Sequence, residues 1–397
     1  MRVVLISFIT PFKVNLRGTS ALSYHLLKGR SCDIDVILYT FNNNKLTKEQ
    51  ITEVAKRLGV EIRLLEIPLW YRWMFKLHLL PLRVFLKYPF LNYITLPQRV
   101  VEEIRALHPD LIWVNNEEMS RIVMQFPGIQ RMQLGPDVES LYYYRMMGKR
   151  FVMDNLVEYW KCAIMYRKYA RLELHLCNDF NFTYYAVGEG DIEHLRQLNP
   201  LVNCKLLRHP HYDVKDDCEI HFHHPKIKLL IAGRYDLYMK QTADELFPLL
   251  ASQNLVLKDD YEITFLGKGW DKHVAILQQA GFKVEHIYFA PNYIEEITKH
   301  DIQLTPICVG TGTKGKVLDA LANGLLVLGT YYALENIAVD HGKSCVLWEQ
   351  ACEVPGILLD IAENREKYEQ MAKNGREAVL SKHNPLIISQ QLFSLID

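Results

Sequence analysis

Residues 307–330 read ICVGTGTKGKVLDALANGLLVLGT, a glycine-rich loop that opens a helix and then returns into an apolar run. Gly310, Gly312 and Gly315 lack the Cβ atoms that keep backbone amides away from a ligand. A helix beginning near Lys316 aims its free N–H groups and positive dipole end at an anion, and Lys314 and Lys316 add charge at the same place. Gly324 offers a left-handed cap after Ala320, Leu321 and Ala322, and the following LLVLG is the apolar run of a buried parallel strand. The stretch predicts half of a βαβ unit shaped to hold a diphosphate. The plainer reading is a strand-to-helix turn with solubilising lysines. The order GxxxxGK[ST] is absent, and VVLISFI at residues 3–9 is not followed by GxGxxG, so ATPase and dinucleotide readings lack support.

Working outward, strand and helix signals alternate along the chain. VVLISFI, DIDVILYT, VEIRLLEI and DLIWVNN read as strands, with SALSYHLLKG, KEQITEVAKRLG and VVEEIRALH as helices around them. A second series starts at KIKLLIAG and continues through YEITFLGKG, HIYFAP and DIQLTP. Such alternation predicts an α/β chain of parallel, doubly wound sheets. Between the series lies HPHYDVKDDCEIHFHHPK, polar and rich in histidine. The expected division is a first domain over residues 1–212, a linker over 213–226, a second domain over 227–377 and a closing helix over 378–397 that returns to the first. A chain of 397 residues with 49% hydrophobic content is long enough for two cores.

Lys plus Arg and Asp plus Glu both total 46, so no net field favours nucleic acid. The eight cysteines are scattered without CxxC pairs, which suits buried thiols in a reducing compartment. His221, His223 and His224 with Cys218 lack the spaced second pair of a metal site, and no metal is expected. No stretch supplies about 20 uninterrupted apolar residues for a spanning helix. A cytoplasmic protein is expected. Residues 67–101, IPLWYRWMFKLHLLPLRVFLKYPFLNYITLPQRVV, carry Arg72, Lys76, Arg83, Lys87 and Arg99 and no acid. Rings and leucines interleaved with cations suit a helix pair at the inner membrane face, where aromatics sit among headgroups and cations meet anionic lipid. Core packing with snorkelling cations is the alternative.

IAGRYDLYMK at 231–240 puts Arg234 and Lys240 just after a strand, at the carboxyl edge where open parallel sheets bind ligands. Here the chain resembles the nucleotide-sugar glycosyltransferases of the GT-B fold, in particular the group called family four and its relatives. The AGR run followed by Lys240 resembles that family's GR…K donor motif. LTPICVGTGTKGKVLDALANGLLVLGT resembles its P…G.G.K…EA.A.G.PV.GT block, and YFAPNYIEEI, with Phe289 and Ala290, resembles the loop that meets the base. The resemblance implies two Rossmann-like domains facing a cleft. It also implies donor-diphosphate contacts from Arg234 and Lys240, amide and hydroxyl contacts from Gly310, Thr311, Gly312 and Thr313, and a ribose contact from Asp319. Lys314 and Lys316 would add charge there. PFKVNLRGTSALSYHLLKG resembles the loop after the first strand, with Gly18, Thr19 and Ser20 as candidates. RMQLGPDVESLYYY falls where relatives face the cleft, making Asp137 the candidate acceptor-side base or sugar contact and Glu139 the runner-up. The chain departs from the pattern in three ways: the Arg234 to Lys240 spacing is one residue longer, the ribose acid is Asp, and Thr311 replaces the first Glu of a Glu-x7-Glu pair.

The implied reaction moves a sugar from a nucleoside-diphosphate sugar to a hydroxyl of a glycan or lipid-linked acceptor, in surface polysaccharide or glycolipid assembly. Retention at the anomeric carbon follows by analogy, and no cofactor beyond the donor substrate is expected. Two rivals remain. One is a catalytically silent subunit that recruits a partner to the membrane. The other is a nucleotide-sugar epimerase, which would need no acceptor.

Overall fold

The first strand, β1 (Arg2–Ser7), is apolar on both sides, and Val3, Val4, Leu5 and Ile6 are fully buried. Residues of that kind suit only a strand covered on both faces, the condition of a parallel sheet between helices. In this computed structural model, which describes residues 1–15 and 19–394, β1 lies third in a seven-stranded sheet. The others are β2 (Asp35–Thr40), β3 (Glu61–Leu64), β4 (Leu111–Asn115), β5 (Arg131–Gly135), β6 (Phe182–Ala186) and β7 (Cys204–Leu206). Their order is β3-β2-β1-β4-β5-β6-β7. All pairs are parallel, with Leu5 opposite Leu38 on one side and Trp113 on the other. Side-chain alternation splits the core into two layers. Val4, Ile6, Ile37, Tyr39, Ile112 and Val114 build one. Val3, Leu5, Val36, Leu38, Leu111 and Trp113 build the other.

The second sheet repeats this plan. It comprises β8 (Ile227–Ala232), β9 (Tyr261–Leu266), β10 (Lys283–Ile287), β11 (Ile302–Thr305), β12 (Leu326–Gly329) and β13 (Val346–Leu347), in the order β10-β9-β8-β11-β12-β13. In both sheets the chain first winds to one side and then to the other, so a topological switch point lies between β1 and β4 and again between β8 and β11. Ligands bind at the carboxyl ends of such strands.

The chain forms two compact units: Met1–Gly148 with Asn155–Pro210 and Pro385–Asp397, and Lys149–Asp154 with His211–Asn384. Residues 213–226, expected as a linker, lie within the second unit. Asn323 holds them there, its side chain donating to the Asp213 carbonyl at 3.0 Å and accepting from the Lys215 amide at 2.8 Å, while Phe222 is buried in the core. The closing helix is Pro385–Ser394, and it packs in the first unit. There Ser389 Oγ donates to the Leu26 carbonyl at 2.6 Å, and Phe393 meets the Trp113 ring edge-on at 6.3 Å.

Residues 67–101 are not a helix pair. They form one α-helix, Leu69–Lys76, two 3-10 turns, Leu80–Phe85 and Phe90–Tyr93, and the first residues of the helix Gln98–Ala106. Pro81 and Pro89 remove amide donors and bias the preceding residue away from helix, which leaves turns where a second helix was expected, and Pro97 precedes the helix Gln98–Ala106. No helix among the described residues is long and apolar enough to cross a membrane.

Candidate functional site

At the switch point of the second sheet, β8 runs out through Gly233 and Arg234. Gly233 has φ +129° and Gly267, after β9, has φ +143°. A Cβ on Gly267 would stand 2.1 Å from the Gly233 carbonyl oxygen and 3.2 Å from the Arg234 nitrogen. Only glycine lets these two strand ends approach so closely. The Gly233 carbonyl is fixed by the indole Nε1 of the buried Trp270 at 2.8 Å. Lys316 Nζ comes within 3.7 Å of where a Gly233 Cβ would be. Burial pushes the carboxyl of Asp236 up, against the opposing pull of Arg234 and Lys316. Arg234 and Lys316 therefore share one electrostatic neighbourhood at the end of β8. Although Lys316 keeps solvent access, its surroundings desolvate the ammonium and lower its pKa, with Asp236 and Asp319 opposing. A desolvated cation of this kind gains by meeting a phosphate.

Lys240 has partners of its own. It opens the helix Lys240–Ser252, and its Nζ binds Asp244 Oδ2 at 3.0 Å and Tyr235 Oη at 3.2 Å. Lys314 is likewise turned inward, donating to the carbonyls of Thr311 and Gly312. Gly310, at φ +151°, leaves room for that ammonium, since a Cβ there would lie 2.7 Å from Lys314 Nζ. Asn336 Nδ2 donates to the Gly312 carbonyl at 3.0 Å. The loop is thus tied from its carbonyl side. Thr311 is buried, while Thr313 is partly so.

The helix after the loop spans Gly315–Ala322, with Gly324 beyond it at φ +85°. Asp319 therefore falls in its second turn. Desolvation raises the Asp319 carboxyl to about 7, with Asp213 adding to the shift and Lys316 opposing it. Tyr212 and Tyr293 are both raised, first by burial and then by Asp319, which places two phenols around that carboxyl. Tyr293 Oη is buried without a partner among the described residues. Beyond β10, Phe289 is 76% exposed and Ala290 partly buried.

At the switch point of the first sheet a cavity of about 120 Å³ opens beside Ser7 and Asn115, the last residues of β1 and β4. Thr19, Asp137 and Glu139 line it. Gly18 lies outside the described residues. Ser20 occupies the N-cap of the helix Ala21–Lys28, but its hydroxyl donates to the Val14 carbonyl, and Asn15 Oδ1 caps the amides of Ser20 and Ala21 instead.

Sequence reasoning missed the acids beneath this cavity. Glu117 and Glu118 line it, and Glu117 is only 3% exposed. Glu118 accepts from Tyr169 Oη at 2.5 Å and from the Leu91 amide at 3.2 Å. Behind them Glu173 accepts from the Ser140 amide at 2.9 Å and from its hydroxyl, which also meets His194 Nε2 at 2.9 Å. Burial first, then Glu173, holds Glu117 well above the usual carboxyl range. Burial and then Asp137 push Glu139 up to about 8. The signal available was LIWVNNEE at 111–118, two acids directly after a buried strand at the switch point.

Residues 249–394 match the glycosyl transferase-like family model. Anabaena Alr3699/HepE, solved with UDP and glucose, is similar over 99% of both chains at 13% identity and a TM-score of 0.63. WaaG, a glycosyltransferase involved in lipopolysaccharide biosynthesis, matches over 99% of both chains at 14% identity and a TM-score of 0.59. Sucrose-phosphate synthase from Thermosynechococcus elongatus matches over 99% of this chain and 98% of its own at 12% identity and a TM-score of 0.60. No curated protein matches the chain by sequence. The chain has the GT-B fold, as the resemblance implied, and residues 249–394 carry a glycosyl transferase-like domain.

Proposed function

We propose that the protein is a glycosyltransferase that takes a UDP-sugar and moves its sugar to a hydroxyl of a glycan or lipid-linked acceptor. The observation that carries this reading is the pairing of Arg234 with Lys316 at the end of β8, beside a glycine loop whose helix begins at Gly315. Arg234 grips phosphate oxygens through its planar fork, and Lys316 and the helix dipole take up charge as the nucleotide leaves. Asp319, between Tyr212 and Tyr293, accepts hydrogen bonds from a vicinal ribose diol once ionised. HepE binds UDP in its solved complexes, which supports uracil as the donor base. Family analogy supports retention at the anomeric carbon.

The segment 67–101 supports action at a membrane face. Trp73 is 53% exposed and Phe85 83%, with Arg72 and Lys76 between and beside them. The segment is tied to the helix Leu156–Leu174 through Lys168, which donates to the Arg83 carbonyl, and through Arg171, which donates to that of Lys87. That helix adds the exposed Leu156, Val157 and Trp160. Anionic lipid, and hence a lipid-linked acceptor in surface polysaccharide or glycolipid assembly, fits such a surface. A second reading is a silent UDP-binding subunit, favoured by the absence of any carboxylate from the loop 307–316. Incubation with UDP-sugars and lipid-linked acceptors separates the two. Release of UDP that depends on acceptor supports transfer, whereas UDP binding without turnover on any acceptor supports the silent subunit.

A further inference from the structure

A cavity of about 610 Å³ opens on the first unit beside Arg121, Arg131, His175 and Asp179. Arg131 opens β5 and Asp179 shortly precedes β6, so the cavity lies toward the amino edge of the sheet, away from the switch point. Its charges do not balance. Arg131 donates to Asp179 Oδ2 at 2.7 Å, and no other acid lines the cavity among the described residues. Arg121, half-buried, has no hydrogen bond or ion pair to any described residue. Its guanidinium carbon stands instead 4.8 Å from the centre of the Tyr93 ring and 6.0 Å from that of Tyr88. Tyr93 is fixed in turn, because its Oη accepts from the amides of Lys87 and Tyr88 at 3.2 and 3.3 Å. Lys87 Nζ lies 5.4 Å from the centre of the Tyr88 ring and has no ion pair among the described residues. His175 Nδ1 donates to the Arg171 carbonyl at 2.8 Å, which leaves its Nε2 for another partner.

We infer that this cavity binds a phosphate monoester carried on an apolar chain. A guanidinium laid on aromatic faces keeps its N–H donors in the ring plane's direction and its fork in one orientation, ready for two phosphate oxygens. A monoester carries close to two negative charges near neutral pH, so it answers Arg121 and the neighbouring Lys87 together, which a carboxylate with one charge does less well. The Arg131–Asp179 pair stays intact, because its charges already cancel. Met124 and Leu174, 49% and 50% exposed, line the same cavity and offer an apolar wall that a free ion would not use.

The cavity also joins two elements. Tyr88 belongs to the segment 67–101 and Leu174 ends the helix Leu156–Leu174, and Arg171 ties the two by donating to the Lys87 carbonyl at 3.3 Å. A lipid phosphate seated there would hold both elements at a bilayer. That role rests on the proposed action at a membrane face. Phosphate binding in the cavity rests neither on that reading nor on the transfer reaction. A lipid headgroup and a soluble phosphate ester share the chemistry that Arg121 recognises, and Met124 and Leu174 favour the lipid.

The test is calorimetry on the full chain with dihexanoyl phosphatidic acid, dihexanoyl phosphatidylcholine and glycerol 3-phosphate, the lipids kept below their micelle concentrations. Phosphatidic acid is expected to bind about tenfold or more tightly than either of the others. Arg121→Gln should remove that preference. Lys56→Gln, which deletes an exposed cation on the helix Lys48–Leu58, should leave it. Urea unfolding verifies that both variants fold. Equal binding of the two lipids by wild type overturns the inference whether or not the variants fold. So does a preference that survives in folded Arg121→Gln, or one that Lys56→Gln removes equally. Glycerol 3-phosphate bound as tightly as phosphatidic acid overturns the apolar chain and assigns the phosphate site to a soluble ester. With UDP titrated separately, UDP binding without a phosphatidic acid preference removes this inference alone, and the reverse removes the donor reading alone.

Discussion

The ammonium of Lys240 stands 3.0 Å from Asp244 Oδ2, and the other oxygen of that carboxylate accepts from Tyr235 at 2.9 Å and meets His273 Nε2 at 2.9 Å. Lys240 is thus engaged within its own helix and with the ring beside it, while Arg234 and Lys316 converge at the end of β8. Lys240→Ala is expected to weaken UDP binding less than Arg234→Ala, which should cost about tenfold or more. The Lys240 side chain is 45% exposed, so losing the ion pair should destabilise by less than about 1 kcal/mol. Calorimetry and urea unfolding on both variants decide this. A larger UDP loss in Lys240→Ala would return Lys240 to the diphosphate.

Asp319 carries a stability penalty that depends on pH. Between its ordinary 3.8 and about 7 the folded chain keeps a proton that the unfolded chain has lost. Stability therefore falls as pH rises through that window and levels off above it. Asp319→Asn should raise stability near pH 8 by on the order of 1–3 kcal/mol, and by little near pH 4. The same change should weaken UDP binding. Unfolding curves across this range that shift equally at every pH would contradict the assignment.

Gly267 is held to its identity by backbone, not by a movable side chain. A Cβ there meets the Gly233 carbonyl at 2.1 Å, and φ is +143°. Gly267→Ala should destabilise by at least about 2 kcal/mol, and in the folded fraction it should weaken UDP binding by shifting Arg234. By contrast Gly315, with open space around its Cβ position, should accept alanine with little change in unfolding midpoint. Similar stability for both variants would refute the close approach of the strand ends.

Trp73, Phe85 and Trp160 are exposed side chains of the first unit. Replacing all three with serine should reduce sedimentation with anionic vesicles by about tenfold, while leaving UDP affinity intact. Raised salt should weaken wild-type binding too, because the cations contribute through a screened field. Undiminished vesicle binding by the triple variant would assign these side chains another role.

The sheets were legible because their strands are short apolar runs between turn signals. Val3–Ile6 and Leu229–Ile231 have no polar face to hide. The glycine loop was legible because Gly310 and Gly324 adopt conformations that other residues rarely take. Side-chain direction was not. Lys240 and Lys314 each had a nearer partner, a carboxylate one helical turn away in one case and the loop's own carbonyls in the other. The acids under the first switch point come from stretches as distant as Glu117, Glu139 and Glu173, and only the packing of three elements brings them together. Rings and leucines interleaved with cations in residues 67–101 suggested two helices, but the prolines leave turns in place of the second.

The most direct measurement is UDP binding by calorimetry, with GDP, ADP and TDP alongside, on wild type and on a variant carrying Arg234→Ala with Lys316→Ala. A single nucleotide preference for UDP, lost by about a hundredfold or more in the folded double variant, is the expected result. Absence of binding to all four in well-folded protein, or affinity unchanged in the double variant, would contradict the donor site at the end of β8.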